Sequence, residues 1–244
     1  MNKTFIVVMS RGRSKTGFTF KHFNSLGHEV ILVVNQNEIK DYRSAGLTNP
    51  IWEHDFNFIP TIRNFILEKV GVGNNVIVMD DDIKSFGKFI PRNKKNIKHE
   101  ISINNFLTIL KQGFINLPDY VKFFGVSPTT NPLNYNPNKP ISKNVFILGS
   151  VQCIRVTEGL IYDEALPLKA DYAFTAENIR QGFTVARFNY LYADNDFDKL
   201  AGGRQCYSKG DTDRMLSFEY LLRKYPNYFK PNPKRKYELI MRVK

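Results

Sequence analysis

The sequence predicts an α/β fold in which a mixed, mostly parallel sheet is flanked by helices. Short apolar runs alternate with segments of helical periodicity along the first third of the chain, which is the pattern of β-α-β units. These apolar runs are continuous rather than alternating, as expected for strands that helices cover on both faces. With 244 residues, 42% of them hydrophobic, the chain can bury one large core,.

Strands and helices alternate in the first third of the chain. The predicted strands are residues 4–9, 29–34 and 76–79, and the predicted helices are residues 18–26, 36–45 and 61–70. A glycine follows each helix and favours the backbone conformation that closes it, while Pro60 precedes the third helix, where its fixed φ suits a helix start. Successive β-α-β units of this kind place their strands in parallel.

The rest of the chain is less regular. Helical periodicity predicts helices over residues 101–117, 170–181 and 212–224, and strand-like composition predicts strands over residues 121–127, 144–156 and 183–192. Residues 128–142 are rich in proline and asparagine and are predicted to form a long loop, which in a compact domain is more often functional than structural. Because no internal repeat or Gly/Ser linker divides the chain, we expect a single domain.

Basic residues exceed acidic ones and are concentrated in two segments. The net charge is +12, with 35 Lys and Arg against 23 Asp and Glu. Residues 83–99 carry +6 and residues 223–244 carry +7, which leaves −1 for the rest of the chain. We therefore expect a nearly neutral body with two basic appendages that favour a polyanionic partner.

The cysteine content and the N-terminus exclude several classes of protein. Two cysteines, Cys153 and Cys206, exclude a disulfide-stapled scaffold and a four-cysteine zinc site,. The N-terminal apolar run, residues 5–9, is too short for a signal peptide core or a membrane span,. A soluble, cytoplasmic protein without stable membrane insertion is expected, and the sequence indicates no oligomeric state.

Three adjacent carboxylates, Asp80, Asp81 and Asp82, follow the predicted strand over residues 76–79. The carboxyl end of a strand is where open α/β sheets bind ligands. Negative charges about 6 Å apart repel by roughly 3 kcal/mol per pair at an effective dielectric constant of about 20. The cluster therefore favours a bound cation, and oxygen ligands suit Mg²⁺ or Mn²⁺ whose shell is completed by substrate phosphates.

Three interpretations of this triplet remain open. It is a solvated strand end, the nucleophile motif of a haloacid-dehalogenase-type phosphatase, or the Asp-x-Asp motif of a metal-dependent glycosyltransferase. The phosphatase pattern wants Thr or Val where this chain has Lys84, and it usually lies on the first strand. In the glycosyltransferase interpretation, Asp80 and Asp82 meet a metal that bridges the diphosphate of a sugar nucleotide.

Two further segments fit a nucleotide-binding half. The loop after the first strand, Ser10-Arg11-Gly12-Arg13, offers backbone N–H groups, a hydroxyl and two guanidinium groups for a phosphate or a nucleobase,. A polar loop at this place also occurs without any ligand. Arg63 and Asn64 lie on the polar side of the helix over residues 61–70, and they either approach the nucleotide or face solvent.

Asp171 is the candidate catalytic base. Residues 148–152 resemble a strand that lines a sugar pocket, and a helix that begins at residue 170 and ends before Gly182 follows. Glycosyltransferases of the GT-A fold commonly carry Glu-Asp at the start of such a helix, whereas Ala170 replaces the first acid here. The alternative role of Asp171 is to cap the helix, for which Asp is well suited and which is compatible with catalysis.

Together these motifs resemble GT-A glycosyltransferases over most of the chain, and in particular the phage-associated TET-associated glycosyltransferases, which decorate hydroxymethylated pyrimidines in DNA. The resemblance depends on the Ser-Arg-Gly-Arg loop, the Asp-Asp-Asp-Ile strand end, the Asp171 helix and an Ala-Gly-Gly turn at residues 201–203. It implies a GT-A-like, Rossmann-type single domain over residues 1–244. Its parts would be a nucleotide-binding half (1–83), an acceptor and catalytic half (100–222) and a basic tail (223–244).

The resemblance also implies metal-dependent transfer from a nucleotide-sugar, with a UDP-sugar as the first expectation. Asp82 and Asp80 would hold Mn²⁺ or Mg²⁺, and Asp171 would accept the proton of the acceptor hydroxyl, which predicts inversion at the sugar. Many members of the fold add a late His ligand, but the four His here lie within the first 99 residues, so water and diphosphate would complete the metal shell. Spare acidic candidates are Asp194, Asp196 and Asp198. The candidate nucleotide-sugar ligands are Ser10, Arg11, Gly12, Arg13, Arg63, Asn64, Asp80 and Asp81.

DNA is the acceptor that the charge distribution favours. Contacts from Lys and Arg to phosphates give salt-dependent, sequence-independent binding, and flipping a nucleotide exposes the group to be modified. A protein, a lipid-linked glycan or a surface polysaccharide are alternative acceptors. A non-catalytic nucleic-acid-binding protein is an alternative function that leaves Asp80 to Asp82 unexplained. The candidate acceptor-binding residues are Lys84, Lys88, Arg92, Lys94, Lys95, Lys98 and Arg204.

Overall fold

The computed structural model describes residues 2–17, 22–23, 26, 29–93, 95–195 and 210–242. Several predicted features lie outside the described residues. They are most of the helix over residues 18–26, Lys94, Asp196, Asp198, the turn at residues 201–203 and Arg204.

A large sheet forms the centre of the fold, and a short two-stranded ribbon lies near the C-terminus. The strands of the sheet are β1 (Thr4–Met9), β2 (Val30–Asn35), β3 (Ile51–His54), β4 (Asn75–Asp80), β5 (Ile83–Arg92), β6 (Lys95–Ile101), β7 (Val121–Ser127), β8 (Ile141–Lys143), β9 (Val151–Arg155) and β10 (Thr184–Asn195). The ribbon consists of β11 (Phe229–Pro231) and β12 (Leu239–Met241).

The sheet is mixed, and most of its strands run in the same direction. Its order is β3-β2-β1-β4-β9-β7-β10-β5-β6, and β8 pairs with β10 off this path. The parallel pairs are β1 with β2 and β4, β2 with β3, and β7 with β10. Within the described sheet, β5, β8 and β9 run against the other strands. The predicted α/β fold with a mixed, mostly parallel sheet is therefore confirmed.

Helices cover both faces of this sheet, as the continuous apolar strands predict. Ile6 of β1 belongs to a core cluster with Phe106 on one face, whereas the next residue, Val7, belongs to a cluster with Ile66 on the other. None of the helices in the described residues is long and apolar enough to cross a bilayer. The helices are α1 (Ile39–Ser44), α2 (Ile59–Val70), α3 (Ile103–Asn116), α4 (Ala170–Arg180) and α5 (Asp211–Lys224).

The predicted helix boundaries hold within one or two residues in the described helices, except that α1 begins at Ile39, three residues after the predicted start and directly after a 3₁₀ turn over Gln36–Glu38. Pro60 lies in the first turn of α2, and Gly71 closes this helix with φ of 80°. The hydroxyl of Ser102 accepts a hydrogen bond from the backbone N–H of Asn105 at 3.3 Å and so caps α3,. Local start and stop signals therefore account for these elements.

Two sequence-based expectations of structure are wrong. Residues 83–99 do not form an appendage to the body, because β5 and β6 pair as an antiparallel hairpin whose residues Phe86 and Phe89 are buried. In the segment predicted as a strand over 144–156, only Val151–Arg155 is extended within the sheet, and Asn144 has φ of 51°. The short β3 strand (Ile51–His54) was not expected, since four residues give a weak periodic signal,.

The basic C-terminal segment is part of the folded body rather than an appendage. Tyr225, Phe229 and Leu239 are buried in a cluster with Ala173 and Ala176 of α4. Three apolar side chains at this spacing anchor the ribbon to the helix that carries Asp171. The expectation of a neutral body with a separate basic tail is therefore wrong for these residues.

Candidate active site

The sheet places the polar strand ends at one edge. Met9 is paired with Asp80 at the carboxyl ends of β1 and β4, and Met79 is paired with Val151 at the start of the antiparallel β9. A cavity of about 560 Å³ opens at this edge, a volume typical of small-molecule sites. Its polar and charged walls include Ser10, Arg11, Arg13, His54, Arg63, Asp80, Asp81, Asp82, Ser150, Lys169, Asp171, Tyr172, Arg214, Arg235 and Glu238.

Asp81 holds the loop after β1 in place. Its carboxylate accepts hydrogen bonds from the hydroxyl of Ser10 and from Nη1 of Arg13. The oxygen atoms of Ser10 and Tyr42 lie 2.6 Å apart in a further hydrogen bond. Burial raises the pKa of Asp81 to about 6, although Arg13 and Ser10 oppose this shift. Asp81 therefore connects the ends of β1 and β4 inside the protein.

The carboxylates of Asp80 and Asp82, the other two of the three adjacent acids, also line the cavity. Burial, followed by the nearby charge of Asp82, raises the pKa of Asp80 to about 7. No described side chain donates a hydrogen bond to the Asp80 carboxylate. Asp82 accepts from Nδ2 of Asn195 at 2.9 Å and lies 3.4 Å from Nη1 of Arg13.

The carboxylates of Asp80 and Asp82 fit a divalent cation for which the protein supplies only part of the coordination shell. A negative group with a raised pKa and no donor is stabilised by a cation, and hard oxygen ligands are what Mg²⁺ and Mn²⁺ prefer. Within the described ranges, no group of three or more His, Cys, Asp or Glu side chains could hold a metal. Asp80 and Asp82 would therefore need ligand oxygens and water to complete the coordination shell.

The loop at Ser10–Arg13 differs from its expected form. The backbone N–H of Gly12, expected to face a phosphate, donates to Oε2 of Glu38 at 2.6 Å, and Gly12 does not line the cavity. Arg11 donates from Nη1 to Oδ1 of Asn57 at 3.2 Å and remains on the cavity wall. Glu38 therefore engages the N–H group of Gly12 in this structure, and a role of Gly12 in binding the donor stays a prediction.

Arg63 is buried in the site rather than placed on a solvated helix face. It is 5% exposed, donates to Oε1 of Gln152, and donates from Nη2 to the carbonyl of Gly149 at 3.0 Å. Its positive charge opposes the increase in pKa of both Asp80 and Asp171. Arg63 therefore influences the two acidic parts of the cavity together.

Asn64 does not belong to the site. Its amide donates to the carbonyl of Tyr162 at 3.0 Å and to Glu164 at 2.7 Å, and its oxygen accepts from the N–H of Tyr162 at 2.7 Å. These contacts fasten α2 to the segment before α4. Asn64 lines a different surface of α2 from the cavity, and a role in binding the nucleotide-sugar stays a prediction.

Asp171 lies in the first turn of α4 and faces the same cavity. Its Oδ2 accepts from the backbone N–H of Gly149 at 3.1 Å, and its Oδ1 accepts from the N–H of Tyr172 at 3.0 Å. Burial raises its pKa, with Arg63 as the main opposing influence. Each oxygen keeps a further lone pair, so the fixed carboxylate can accept a proton from a hydroxyl in the cavity.

Several site residues were missed by sequence reasoning. Gln152 accepts hydrogen bonds from both Arg63 and Tyr162, and the only signal for it was a polar residue within an apolar strand. Lys169 pairs with Glu238 at 2.8 Å and so joins the start of α4 to the C-terminal segment. Arg214 and Arg235 reach the cavity from segments that carry no recognisable motif.

The basic hairpin lies outside the cavity. None of its described basic residues, Lys84, Lys88, Arg92, Lys95 and Lys98, lines the wall. Arg92 is paired directly with Lys95 across the hairpin, and Lys88 with His99. Because like charges opposite each other are destabilising, the pair of Arg92 and Lys95 is suited to binding an anion,.

The comparisons with known proteins agree with this architecture. The sequence profile of the TET-associated glycosyltransferases matches residues 4–202. The chain belongs to this family. This membership favours the glycosyltransferase interpretation of Asp80, Asp81 and Asp82 over the phosphatase and non-catalytic interpretations. No curated protein matches this TET-associated glycosyltransferase.

Among solved structures, the mannosyltransferase PcManGT from Pyrobaculum calidifontis, in complex with GDP-Man and Mn²⁺, aligns with a TM-score of 0.56 and 13% identity. The alignment covers 95% of this chain and 66% of the mannosyltransferase, so this chain spans just under two thirds of the length of the mannosyltransferase. A second structure, CMP:2-keto-3-deoxy-manno-octonic acid synthetase complexed with CTP, has a TM-score of 0.46 and 14% identity and covers 79% of this chain and 91% of that one. At this level of identity, the first neighbour shows a shared fold with the TET-associated glycosyltransferase.

Proposed function

We propose that this TET-associated glycosyltransferase transfers a sugar from a nucleotide-sugar to the hydroxyl of a 5-hydroxymethylpyrimidine in DNA, in a metal-dependent reaction. The observation that carries the proposal is the shared cavity: Asp80 and Asp82 lie on its wall together with Asp171. A cation-binding pair and a fixed, buried carboxylate are the two parts that such a transfer requires. A UDP-sugar is the donor we expect first.

The N-terminal half, residues 1–83, would bind the donor. Asp82 and Asp80 would hold Mn²⁺ or Mg²⁺, which when bound neutralises the negative charge that develops on the leaving nucleoside diphosphate. Arg11 on the cavity wall can contact the donor's phosphates or base, whereas Ser10, Arg13 and Asp81 would position the loop. The Mn²⁺ and GDP-Man of the mannosyltransferase neighbour support a metal and a nucleotide-sugar here.

The second half, residues 100–222, would carry the acceptor chemistry. Asp171 accepts the proton of the acceptor hydroxyl as that oxygen forms a bond to the anomeric carbon and the bond to the diphosphate breaks. A direct displacement of this kind inverts the configuration at the sugar. The hydrogen bonds from Gly149 and Tyr172 keep the carboxylate in one orientation during the step.

The surface charge supports a nucleic acid as the acceptor. The net charge is +12, and the exposed hairpin residues Arg92 and Lys95 form a like-charge pair that a phosphate would stabilise,. Lys94 and Arg204, which the sequence predicts to bind the acceptor, remain part of this proposal. A protein or glycan acceptor would not require this concentration of basic residues outside the cavity.

The test is to incubate the enzyme with Mn²⁺, a panel of UDP- and GDP-sugars, and DNA that contains 5-hydroxymethylcytosine or 5-hydroxymethyluracil, and then to weigh the nucleosides by mass spectrometry. We expect the mass of one hexose or pentose on the modified base, with no product from Asp82→Asn or Asp171→Asn. Release of UDP without any sugar on DNA would move the acceptor to a protein or a glycan.

A further inference from the structure

A second cavity, of about 530 Å³, lies next to the candidate active site. We call it the cationic cavity, because its charged lining residues are Lys143, Arg187 and Arg242, and no acidic residue lines it. Phe146 lines both the cationic cavity and the cavity of the candidate active site, which we call the central cavity, so the two adjoin at Phe146. Neither Lys143 nor Arg187 lines the candidate active site.

The three cations come from separate parts of the chain. Lys143 ends β8, Arg187 lies on β10, and Arg242 directly follows β12. The register of β8 and β10 pairs Lys143 with Ala186 and Ser142 with Arg187, so Lys143 and Arg187 occupy neighbouring rather than facing positions of the two strands. None of the three forms an ion pair with a described carboxylate. Lys143 and Arg242 are exposed, whereas Arg187 is half-buried, so Arg187 is the cation whose burial a bound anion would compensate,.

Arg187 is held in a fixed orientation. Its Nε donates to Oδ1 of Asn189 at 2.8 Å, and its Nη1 donates to the carbonyl of Phe146 at 3.2 Å. Asn189 is itself held by the carbonyl of Lys139 and the hydroxyl of Ser142. Burial lowers the pKa of Arg187, as expected where no carboxylate compensates the buried charge. The guanidinium thus keeps Nη2 available in a pre-organised position, an arrangement suited to a phosphate.

An aromatic pair connects the cationic cavity to Asp171. The ring of Phe146 stacks on that of Tyr172 with centroids 4.1 Å apart and planes at 28°. Tyr172 follows Asp171 on α4 and, like it, lines the central cavity. The order along this wall is therefore a carboxylate, an aromatic surface and a cluster of cations. A nucleotide presents its hydroxymethyl group, its planar base and its phosphate in the same order.

We propose that the cationic cavity binds a backbone phosphate of the acceptor nucleic acid while the acceptor base lies against Phe146, with its hydroxyl directed to Asp171. This inference rests on the proposed nucleic-acid acceptor and names the residues that would hold it beside the reacting hydroxyl. Lys143, Arg187 and Arg242 act on the acceptor alone and have no part in holding the nucleotide-sugar.

The test compares two double variants that lose the same charge. Lys143→Gln with Arg242→Gln removes two cations from the cavity, and the control, Lys69→Gln with Lys122→Gln, removes two from elsewhere. Lys122 lies at the start of β7 and Lys69 in the last turn of α2, at the sheet edge opposite the site. Binding of a fluorescein-labelled single-stranded oligonucleotide with 5-hydroxymethylcytosine is measured by anisotropy over a salt series, and donor hydrolysis is measured without DNA.

We expect the cavity variant to bind the oligonucleotide about ten-fold more weakly than the control at low salt. The slope of log Kd against log salt should fall by roughly 1.4, since each contact with a single strand contributes about 0.7. Hydrolysis of the nucleotide-sugar should be unchanged in both variants. Lys143→Gln alone, at an exposed position, should give about half of the change in slope and guards against misfolding of the double variant.

Four outcomes would overturn the inference. They are equal losses of affinity in both double variants, no binding of the oligonucleotide by the unmodified enzyme, competition by polyglutamate of matched charge with equal potency, and loss of donor hydrolysis in the cavity variant. If the unmodified enzyme transfers no sugar to DNA but the cavity variant alone loses oligonucleotide binding, the proposed acceptor fails and the phosphate site stands. The two proposals are thereby tested separately.

Discussion

Asp80 and Asp81 are neighbours in sequence, yet their carboxylates have different surroundings. Asp81 accepts hydrogen bonds from Ser10 and Arg13 inside the protein, whereas the Asp80 carboxylate lines the cavity without a described donor. A carboxylate with internal donors stabilises the fold, while one that lies close to another negative charge destabilises it until a cation is bound. Stability measurements can therefore distinguish the two roles.

Asp81→Asn should destabilise the metal-free protein, whereas Asp80→Asn should not. Asp81→Asn should lower the free energy of unfolding by about 3 kcal/mol, because one partner of a buried ion pair is removed. Asp80→Asn should leave the melting temperature unchanged or higher, since it removes repulsion from Asp82. Calorimetry of both variants checks this, with Mn²⁺ added in a second scan. A large destabilisation by Asp80→Asn would mean that Asp80 has a structural role instead.

His54, at the end of β3, gives a prediction for the dependence of stability on pH. Burial, followed by the charge of Arg11, lowers its pKa to about 4, and its Nδ1 accepts a hydrogen bond from the N–H of Phe56 at 3.1 Å. The unfolded chain therefore binds a proton before the folded protein does. Stability from His54 is present above pH 6.5 and is lost as the pH falls toward about 4,.

We expect His54→Gln to reduce this loss by about 2 kcal/mol at pH 4.5. The glutamine cannot be protonated in this range, so the difference between the two melting temperatures should change between pH 7.5 and pH 4.5. The raised pKa values of Asp80 and Asp81 make the protein more stable as the pH falls. This effect is the same in the unmodified enzyme and in His54→Gln, so it cancels when the two are compared. A difference that is constant with pH would show that the ring is not buried as a neutral group.

Local sequence located Asp80, Asp82 and Asp171 at the ends of elements that the structure brings to one cavity, but it did not predict the burial of Arg63. Helical periodicity assigned Arg63 to the polar face of α2, which is where an isolated helix would expose it. Its partners Gly149 and Gln152 lie more than eighty residues further along the chain. Contacts of that separation depend on the whole topology, so the burial of Arg63 could not be derived from α2 alone.

At the scale of elements, the basic segment over residues 83–99 is the clearest case in which charge concealed structure. Six basic residues suggested an appendage to the body, but Phe86 and Phe89 are buried and hold β5 in the sheet. The hairpin therefore presents its charges from a rigid scaffold, which favours binding of an extended polyanion over a diffuse attraction.

Neutralising the exposed face of this hairpin should weaken the acceptor alone. Changing Lys88, Arg92 and Lys95 to Gln should raise the KM for hydroxymethylated DNA by about ten-fold and flatten its salt dependence. The matched control, Lys69, Lys111 and Lys122 to Gln, should have little effect. Donor hydrolysis without DNA and the melting temperature report on the rest of the protein. If hydrolysis falls together with DNA affinity, the hairpin has a structural role in the site.

At the scale of the whole molecule, the fold was predictable from the order of strands and helices, whereas its C-terminal part was not. The strand ends that meet at one edge follow from the parallel register of β1 and β4. Arg235 and Glu238 reach the same cavity only because Phe229 and Leu239 pack on α4. That packing carries no periodic signal, so a segment that resembled a solvated tail forms part of the site.

If Asp80 and Asp82 hold the donor through a metal and Asp171 serves the acceptor, two variants must separate these roles. The measurement is calorimetric titration of UDP in the presence of Mn²⁺ into the unmodified enzyme, Asp82→Asn and Asp171→Asn. We predict that Asp82→Asn abolishes Mn²⁺-dependent binding, while Asp171→Asn binds UDP normally and yet transfers no sugar. Mn²⁺-dependent binding that survives in Asp82→Asn, or that is lost in Asp171→Asn, would contradict this division of roles in the cavity.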